Sequence, residues 1–196
     1  QRRSFDMVTN LADYIKCYDD MFEEDFCKSV IQTFTESYRD VTRIDREQRP
    51  TFNELNISQR FMAKDPAWMS IQKHIQTVFI DIVKVYMNAL QCEPDFPAKY
   101  SFEEFRIKQY NNDGLDQFKD HVDVGDYNSA RRFLVMFLYL NDVDDGGQTN
   151  FPRLNYAVSP KRGRILLFPA TWQYRHSGLP PESDKKYIVG TYLHYL

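Results

Sequence analysis

Apolar residues recur every three or four positions from Trp68 through Ile71, Ile75, Val78, Ile82 and Tyr86 to Leu90, with charged and amide residues between them. That period marks one buried face and predicts a helix over Pro66 to Leu90. The proline stands where a first helical turn tolerates it. A shorter stripe, Phe22, Phe26, Val30 and Phe34, predicts a helix over Phe22 to Ser37. Ahead of it, residues 14 to 22 mix apolar and charged groups and predict a short edge strand. Residues 38 to 65 are polar and poor in pattern. They read as a long loop with one strand around Phe52 to Ser58, and a loop of that length in a compact domain is often a lid or binding loop. A turn rich in proline and acid follows the long helix at Glu93 to Pro97.

From residue 100 the pattern changes to that of strands: Phe102 to Tyr110, Phe133 to Leu140, Arg164 to Phe168 and Tyr187 to Leu196. Asn, Asp, Gly and Pro clusters separate them, at residues 111–114, 144–147, 159–163 and 178–181. The run Phe133 to Leu140 is apolar on both faces and should be central. Short strands at regular intervals predict a sandwich or jelly roll rather than alternating α/β units. The expected fold class is mainly β with supporting helices, α+β, the N-terminal helices packed on a C-terminal β-core.

Composition narrows this picture. The chain of 196 residues is at the upper edge of the usual single-domain range, and one domain is expected, with helical support and a variable loop over 1–99 and the core over 100–196. A net charge of −3 gives no basic footprint for nucleic acid. No apolar run reaches membrane-spanning length, so no membrane partner is expected. Cys17, Cys27 and Cys92 are odd in number and show no paired spacing, so reduced, partly buried thiols are expected. With no secretory signal read, a cytoplasmic, soluble protein is the expectation.

Among four histidines, His121 opens the triplet His121-Val122-Asp123, and His176 lies far downstream on or beside another predicted strand. Two imidazoles and one carboxylate are the donor set of a facial non-haem Fe(II) site, which leaves open positions for substrate and O₂. Residues two apart in a strand share a face, so His121 and Asp123 can reach one metal with Val122 turned away. By itself the triplet reads equally as a surface histidine beside a turn aspartate. A site of this kind needs a dicarboxylate co-substrate and a fixed cation for its far end. Lys185 and Lys186 both open the last strand, adjacent residues face opposite ways, and spacing does not choose between them.

The ordered segments HVD, RRFLVMFLYLND, GGQTNF, VSPKRGRILLFP, RHSGLPP and KKYIVGTYLHYL resemble the Fe(II)- and 2-oxoglutarate-dependent dioxygenases. Within those, residues 100 to 196 are most similar to prolyl 4-hydroxylases of collagen, algal, bacterial and viral type. The resemblance implies a double-stranded β-helix (jelly-roll) core and Fe(II) on His121, Asp123 and His176. It selects Lys186 as the anchor of 2-oxoglutarate and places Tyr110 and Thr149 near the same carboxylate. It puts Arg132, Tyr192 and His194 in a peptide cleft. Tryptophan is usual where Tyr192 stands, and tyrosine is common where Phe118 stands. Also implied are O₂ as oxidant, ascorbate dependence, succinate and CO₂ as co-products, and a proline-containing peptide or protein as substrate. A carboxylate at Asp123 favours hydroxylation over halogenation. Bacterial or viral origin fits the similarity. Two alternatives stay open: the same chemistry on a non-prolyl substrate, and a cupin-like binding module without catalysis.

Overall fold

The computed structural model describes residues 10–47 and 50–196. In chain order the elements are β1 (Lys16–Tyr18), α1 (Glu24–Glu36), β2 (Thr42–Asp45), β3 (Thr51–Asn56), α2 (Ile57–Met62), α3 (Pro66–Leu90), β4 (Tyr100–Phe102), β5 (Arg106–Tyr110), β6 (Phe118–His121), β7 (Arg132–Tyr139), β8 (Thr149–Phe151), β9 (Tyr156–Val158), β10 (Ile165–Pro169), β11 (His176–Gly178) and β12 (Lys186–Tyr195). The large sheet runs β1-β10-β7-β12-β5-β3-β2, with β4 also on β12, and the small sheet runs β6-β11-β8-β9. All pairings are antiparallel. The expected mainly β core with supporting helices is therefore the architecture found.

Strand alternation divides the core into two layers. On the outer face of the large sheet, Met136 and Leu138 of β7, Val189 of β12 and Ile107 of β5 pack with Phe34 of α1 and Trp68, Ile75 and Phe79 of α3. On the inner face, Val135, Tyr139, Ile188 and Tyr110 meet Phe151 and Val158 of the small sheet. The long helix occupies the span its period predicts. Asp65 accepts hydrogen bonds from the amides of Ala67 and Trp68 at its start, and Gln91 ends it in the left-handed region at φ 52°. Truncating Ile75, fully buried at its centre, would remove transfer energy and leave a cavity, as large-to-small changes in packed cores do.

Three readings of the sequence are corrected here. Residues 38 to 65 hold more than a loop with one strand: β3 covers most of the expected strand, β2 pairs with it, β3 pairs in turn with β5, and α2 follows, with 48 and 49 outside the described residues. The β2 residues are mostly exposed, so no hydrophobic alternation announced the strand. The N-terminal part is thus more than helical support, since it gives β1, β2 and β3 to the large sheet. The strand read as Phe102 to Tyr110 is broken at residues 103–105. There the Phe105 amide turns to the Ser58 hydroxyl at 2.8 Å and the Phe105 carbonyl accepts from the Ile57 amide at 2.9 Å. Strands β6, β8, β9 and β11 have three or four residues each, too few for a period to show.

Gly146 and Gly147 both adopt positive φ, at 75° and 72°. A Cβ on Gly146 would lie 2.4 Å from the Pro180 carbonyl oxygen and 2.8 Å from the Glu182 amide nitrogen, both backbone. We expect Gly146→Ala to destabilise the fold by at least about 2 kcal/mol, combining left-handed strain with overpacking. Urea titration of the two proteins measures it, and an unchanged midpoint would refute the expectation. Among the described residues no helix is long and apolar enough to cross a membrane. Cys17, Cys27 and Cys92 are free thiols.

Candidate metal centre and the cleft above it

His121 ends β6, His176 begins β11, and the two are direct partners across the small sheet. Their rings lie 4.4 Å apart, centroid to centroid. Asp123 joins them by a different route from the expected one. The strand ends at His121, so Asp123 sits in the bend beyond it rather than two positions along a continuous strand. Other elements hold it there. The Tyr192 hydroxyl of β12 donates to Asp123 Oδ1 at 2.7 Å, and Arg132 Nη1 of β7 donates to the Asp123 carbonyl at 3.0 Å.

The donor set points inward. His121 Nδ1 lies 2.8 Å from the Lys119 carbonyl, and His176 Nδ1 lies 2.9 Å from the Tyr174 carbonyl. A carbonyl oxygen only accepts, so each Nδ1 carries a proton, and the neutral form of each ring then presents the Nε2 lone pair. Those Nε2 atoms stand 3.7 Å from Asp123 Oδ1 and 3.5 Å from Asp123 Oδ2 respectively. One ligand atom from each residue lies within 4.8 Å of the others. Asp123 Oδ2 is buried with no hydrogen-bond partner, an acceptor that a cation would satisfy. Burial would push the Asp123 carboxyl up, but His176, His121 and Tyr192 outweigh it and hold the pKa well below the usual carboxylate range. Burial pushes the His176 imidazole down, against the pull of Asp123, which favours the neutral ring a metal needs. Phe118 stacks flat on His121 with centroids 3.7 Å apart. Two imidazoles and a carboxylate, all aimed at one point, fit a divalent first-row metal such as Fe(II).

Beside this centre lies a pocket that Tyr110, Thr149 and Lys186 line along with His121 and His176. Strand parity turns Lys186 inward: it shares the inner face with Ile188 and Tyr192, whereas Lys185 precedes the strand and is exposed. Tyr187 turns outward to the Phe34 ring. Lys186 is 2% exposed, donates to the Gly147 carbonyl at 2.9 Å and sits 4.4 Å from the centroid of Tyr110. Burial, with Lys108 adding repulsion, pushes its pKa down to about 7. Thr149 shares a short hydrogen bond with the Tyr139 hydroxyl.

A cleft of about 660 Å³ opens between the β2–β3 hairpin and strands β4, β7 and β12. Arg132, Tyr192 and His194 all line it. Arg132 grips both carboxylate oxygens of Glu103, at 2.7 and 3.0 Å, and lies 4.0 Å over the Tyr192 ring. His194 Nδ1 is buried without a hydrogen-bond partner, 3.8 Å from Glu103 Oε1. Sequence reasoning missed Glu103, Phe52 and Lys108 as cleft residues. Parity with Tyr110 would have found Lys108; nothing in the sequence marked Glu103.

Residues 105–194 match the family model described as the 2OG-Fe(II) oxygenase superfamily. The chain is 28% identical over 108 residues to prolyl 4-hydroxylase subunit alpha-1 of Gallus gallus, covering 47% of this chain and 20% of that protein. It is 34% identical over 76 residues to probable prolyl 4-hydroxylase 11 of Arabidopsis thaliana, 35% of this chain and 25% of that one. The chain thus spans a quarter or less of these curated relatives. In fold it is similar to the viral collagen prolyl hydroxylase of Paramecium Bursaria Chlorella virus-1 in its 2OG complex, with TM-score 0.70 and 19% identity over 93% of this chain and 97% of the other. A prolyl hydroxylase from Trichoplax adhaerens, in complex with a hypoxia inducible factor peptide fragment, gives TM-score 0.69 and 16% identity over 92% and 83%. A Pseudomonas putida prolyl-4-hydroxylase gives 0.66 and 15% over 93% of each chain.

Proposed function

We propose that this chain, a member of the 2OG-Fe(II) oxygenase superfamily through residues 105–194, is an Fe(II)- and 2-oxoglutarate-dependent oxygenase that hydroxylates prolyl residues in a peptide or protein. The observation that carries the reading is the convergence of His121, Asp123 and His176 beside the buried ammonium of Lys186. Iron(II) with 2-oxoglutarate supplies, when bound, the O₂-dependent oxidation of a C–H bond, with succinate and CO₂ as co-products; ascorbate is the expected reductant.

The chain's own residues do the rest. His121, Asp123 and His176 hold the metal, their tautomers and orientation set by the Lys119 and Tyr174 carbonyls and by Tyr192. Lys186 binds the far carboxylate of 2-oxoglutarate, with Tyr110 and Thr149 beside it on the pocket wall. Arg132, Tyr192 and His194 line the cleft in which an extended peptide lies. A prolyl peptide arrives in a polyproline II conformation, which lowers the entropy lost on binding. The β2–β3 hairpin takes the place of the expected lid as one wall of this cleft.

The decisive experiment incubates the chain with Fe(II), 2-oxoglutarate and a panel of proline-rich peptides. It reads succinate by chromatography and peptide mass by spectrometry. The reading predicts succinate together with a gain of one oxygen atom on proline. Succinate without any oxidised peptide would reject the prolyl substrate and keep the oxygenase. No succinate under any condition would reject the enzyme and favour a binding module.

Tyr192→Phe isolates the support of the metal carboxylate. The variant keeps the ring under Arg132 but loses the 2.7 Å bond to Asp123 Oδ1. Metal affinity should fall about 10- to 100-fold, as it does when an outer partner of a ligand is removed. Titration with Mn(II) checks this, and unchanged affinity would show that Asp123 is oriented without Tyr192.

A further inference from the structure

Lys108 faces the interior of the sandwich and is used by neither the metal centre nor the co-substrate anchor proposed above. It stands on β5 two residues before Tyr110 and lines both the peptide cleft and the pocket beside the triad. Its ammonium therefore marks the throat between the two. The walls of that throat are apolar: Lys108 Nζ lies 4.8 Å from the centroid of Phe52 and 5.7 Å from that of Phe118, the ring stacked on His121. Of the other cations lining the cleft, Arg106 and Arg132 already have carboxylate partners, and Arg46 does not reach the pocket beside the triad. Arg106 pairs with Glu54 at 2.8 Å and with Glu104, and Arg132 pairs with Glu103. Lys108 makes no hydrogen bond and no ion pair within 4 Å with any described residue. Burial holds its pKa below the usual lysine range, with Glu54 and Asp123 as the attractive charges around it.

Charge balance shows what such a group is suited to. A divalent metal, the Asp123 carboxylate, a 2-oxoglutarate dianion and the Lys186 ammonium neutralise one another. Lys108 then leaves the throat one positive charge in excess, where low-dielectric walls strengthen its field. We infer that Lys108 binds a carboxylate of the substrate next to the carbon that is oxidised, so that an acidic side chain flanking the target residue is a specificity determinant. This rests on the oxygenase reading given above. The fitting anion is a single carboxylate. Lysine offers one compact point charge on a flexible stem, and Glu54, Glu103 and Glu104, which line the cleft outside the throat, repel a more highly charged group.

The test uses the whole chain loaded with Mn(II) and N-oxalylglycine, unreactive stand-ins for iron and 2-oxoglutarate. Two sets of proline-centred peptides, identical except for Glu or Gln beside the proline, are titrated by fluorescence anisotropy. The Glu peptides should bind about tenfold tighter or more, the scale of a charge-assisted hydrogen bond, and the ratio should shrink as salt rises. In Lys108→Met the ratio should fall to about one, as expected for loss of that bond. Equal affinities in the unmodified chain, an undiminished ratio in the variant, or no binding of any Glu peptide would each overturn the inference. Lys108→Gln repeats the comparison should the methionine variant not fold, and the unmodified chain's own preference tests the idea without any variant. Succinate release from the unmodified chain with Fe(II) and 2-oxoglutarate is measured in parallel. Its absence rejects the underlying oxygenase reading, separately from the peptide ratio.

Discussion

Lys186→Met should yield a protein that melts higher than the unmodified chain at neutral pH and no longer binds 2-oxoglutarate. Both halves follow from one fact, the burial of an ammonium at 2% exposure with a single carbonyl partner, Gly147. Its pKa falls from the usual 10.5 to about 7 in the folded protein. Between those values the unfolded chain holds a proton that the folded chain lacks, so stability rises with pH across that window. Below about pH 7 both states are protonated and the cost of burying the charge is fully present. That cost is on the order of a few kcal/mol. Methionine has similar length and no charge, so the variant should gain several degrees in Tm at neutral pH, at roughly 2–4 °C per kcal/mol for a chain of this size.

Co-substrate binding should move the other way. A carboxylate in this pocket binds the ammonium form, so binding takes up a proton when the pH exceeds about 7. The unmodified chain should then lose 2-oxoglutarate affinity by up to about tenfold per pH unit above that point. Lys186→Met should bind at least about a hundredfold more weakly, as truncation of one partner of a buried charged pair does, and show no such slope. Calorimetry at several pH values and a thermal melt decide it. Normal affinity in the variant would move the anchor to another residue; a lower Tm would mean that Lys186 stabilises the empty pocket.

Parity explains why this lysine was half legible before the fold was known. The sequence offered Lys185 and Lys186 as equals, and only the resemblance favoured one. The fold turns only Lys186 inward, in line with Ile188 and Tyr192 on the inner face of β12. Long elements were readable for the same reason: α3 and β7 carry enough apolar residues for a period to emerge. Asp123 was placed beside His121 for the wrong reason. Its position depends on Tyr192 and Arg132, which come from strands far along the chain, and no local pattern encodes a contact of that kind. Arg132 lines the cleft, and Glu103 fixes the guanidinium that stacks on Tyr192, a pairing that no local pattern announced. Glu103 sits in the break between β4 and β5, where there is no period to read.

Asp123→Ala should remove metal binding while leaving most of the fold. Among the three converging donors only Asp123 is a carboxylate, and with it gone two imidazoles remain. Two ligands do not make a facial site, and the charge that draws a dication inside the sandwich is lost. The clean readout is the rise in Tm that Mn(II) produces, because the empty variant carries its own defect: Tyr192 loses the acceptor 2.7 Å from its hydroxyl, a loss of about 1–3 kcal/mol. A metal present at a hundred times its Kd adds about 2.7 kcal/mol to the unmodified chain. In the variant that increment should vanish. Asp123→Asn separates charge from shape, since its amide oxygen can still accept from Tyr192. If charge is what holds the metal, the Mn(II)-induced rise should be lost in Asn as in Ala, although Asn keeps more of the metal-free stability. A full Mn(II) response in Asp123→Ala would place the metal elsewhere and detach Asp123 from the centre. A full response in Asn but not in Ala would show that the oxygen atom, rather than its charge, is what the site requires.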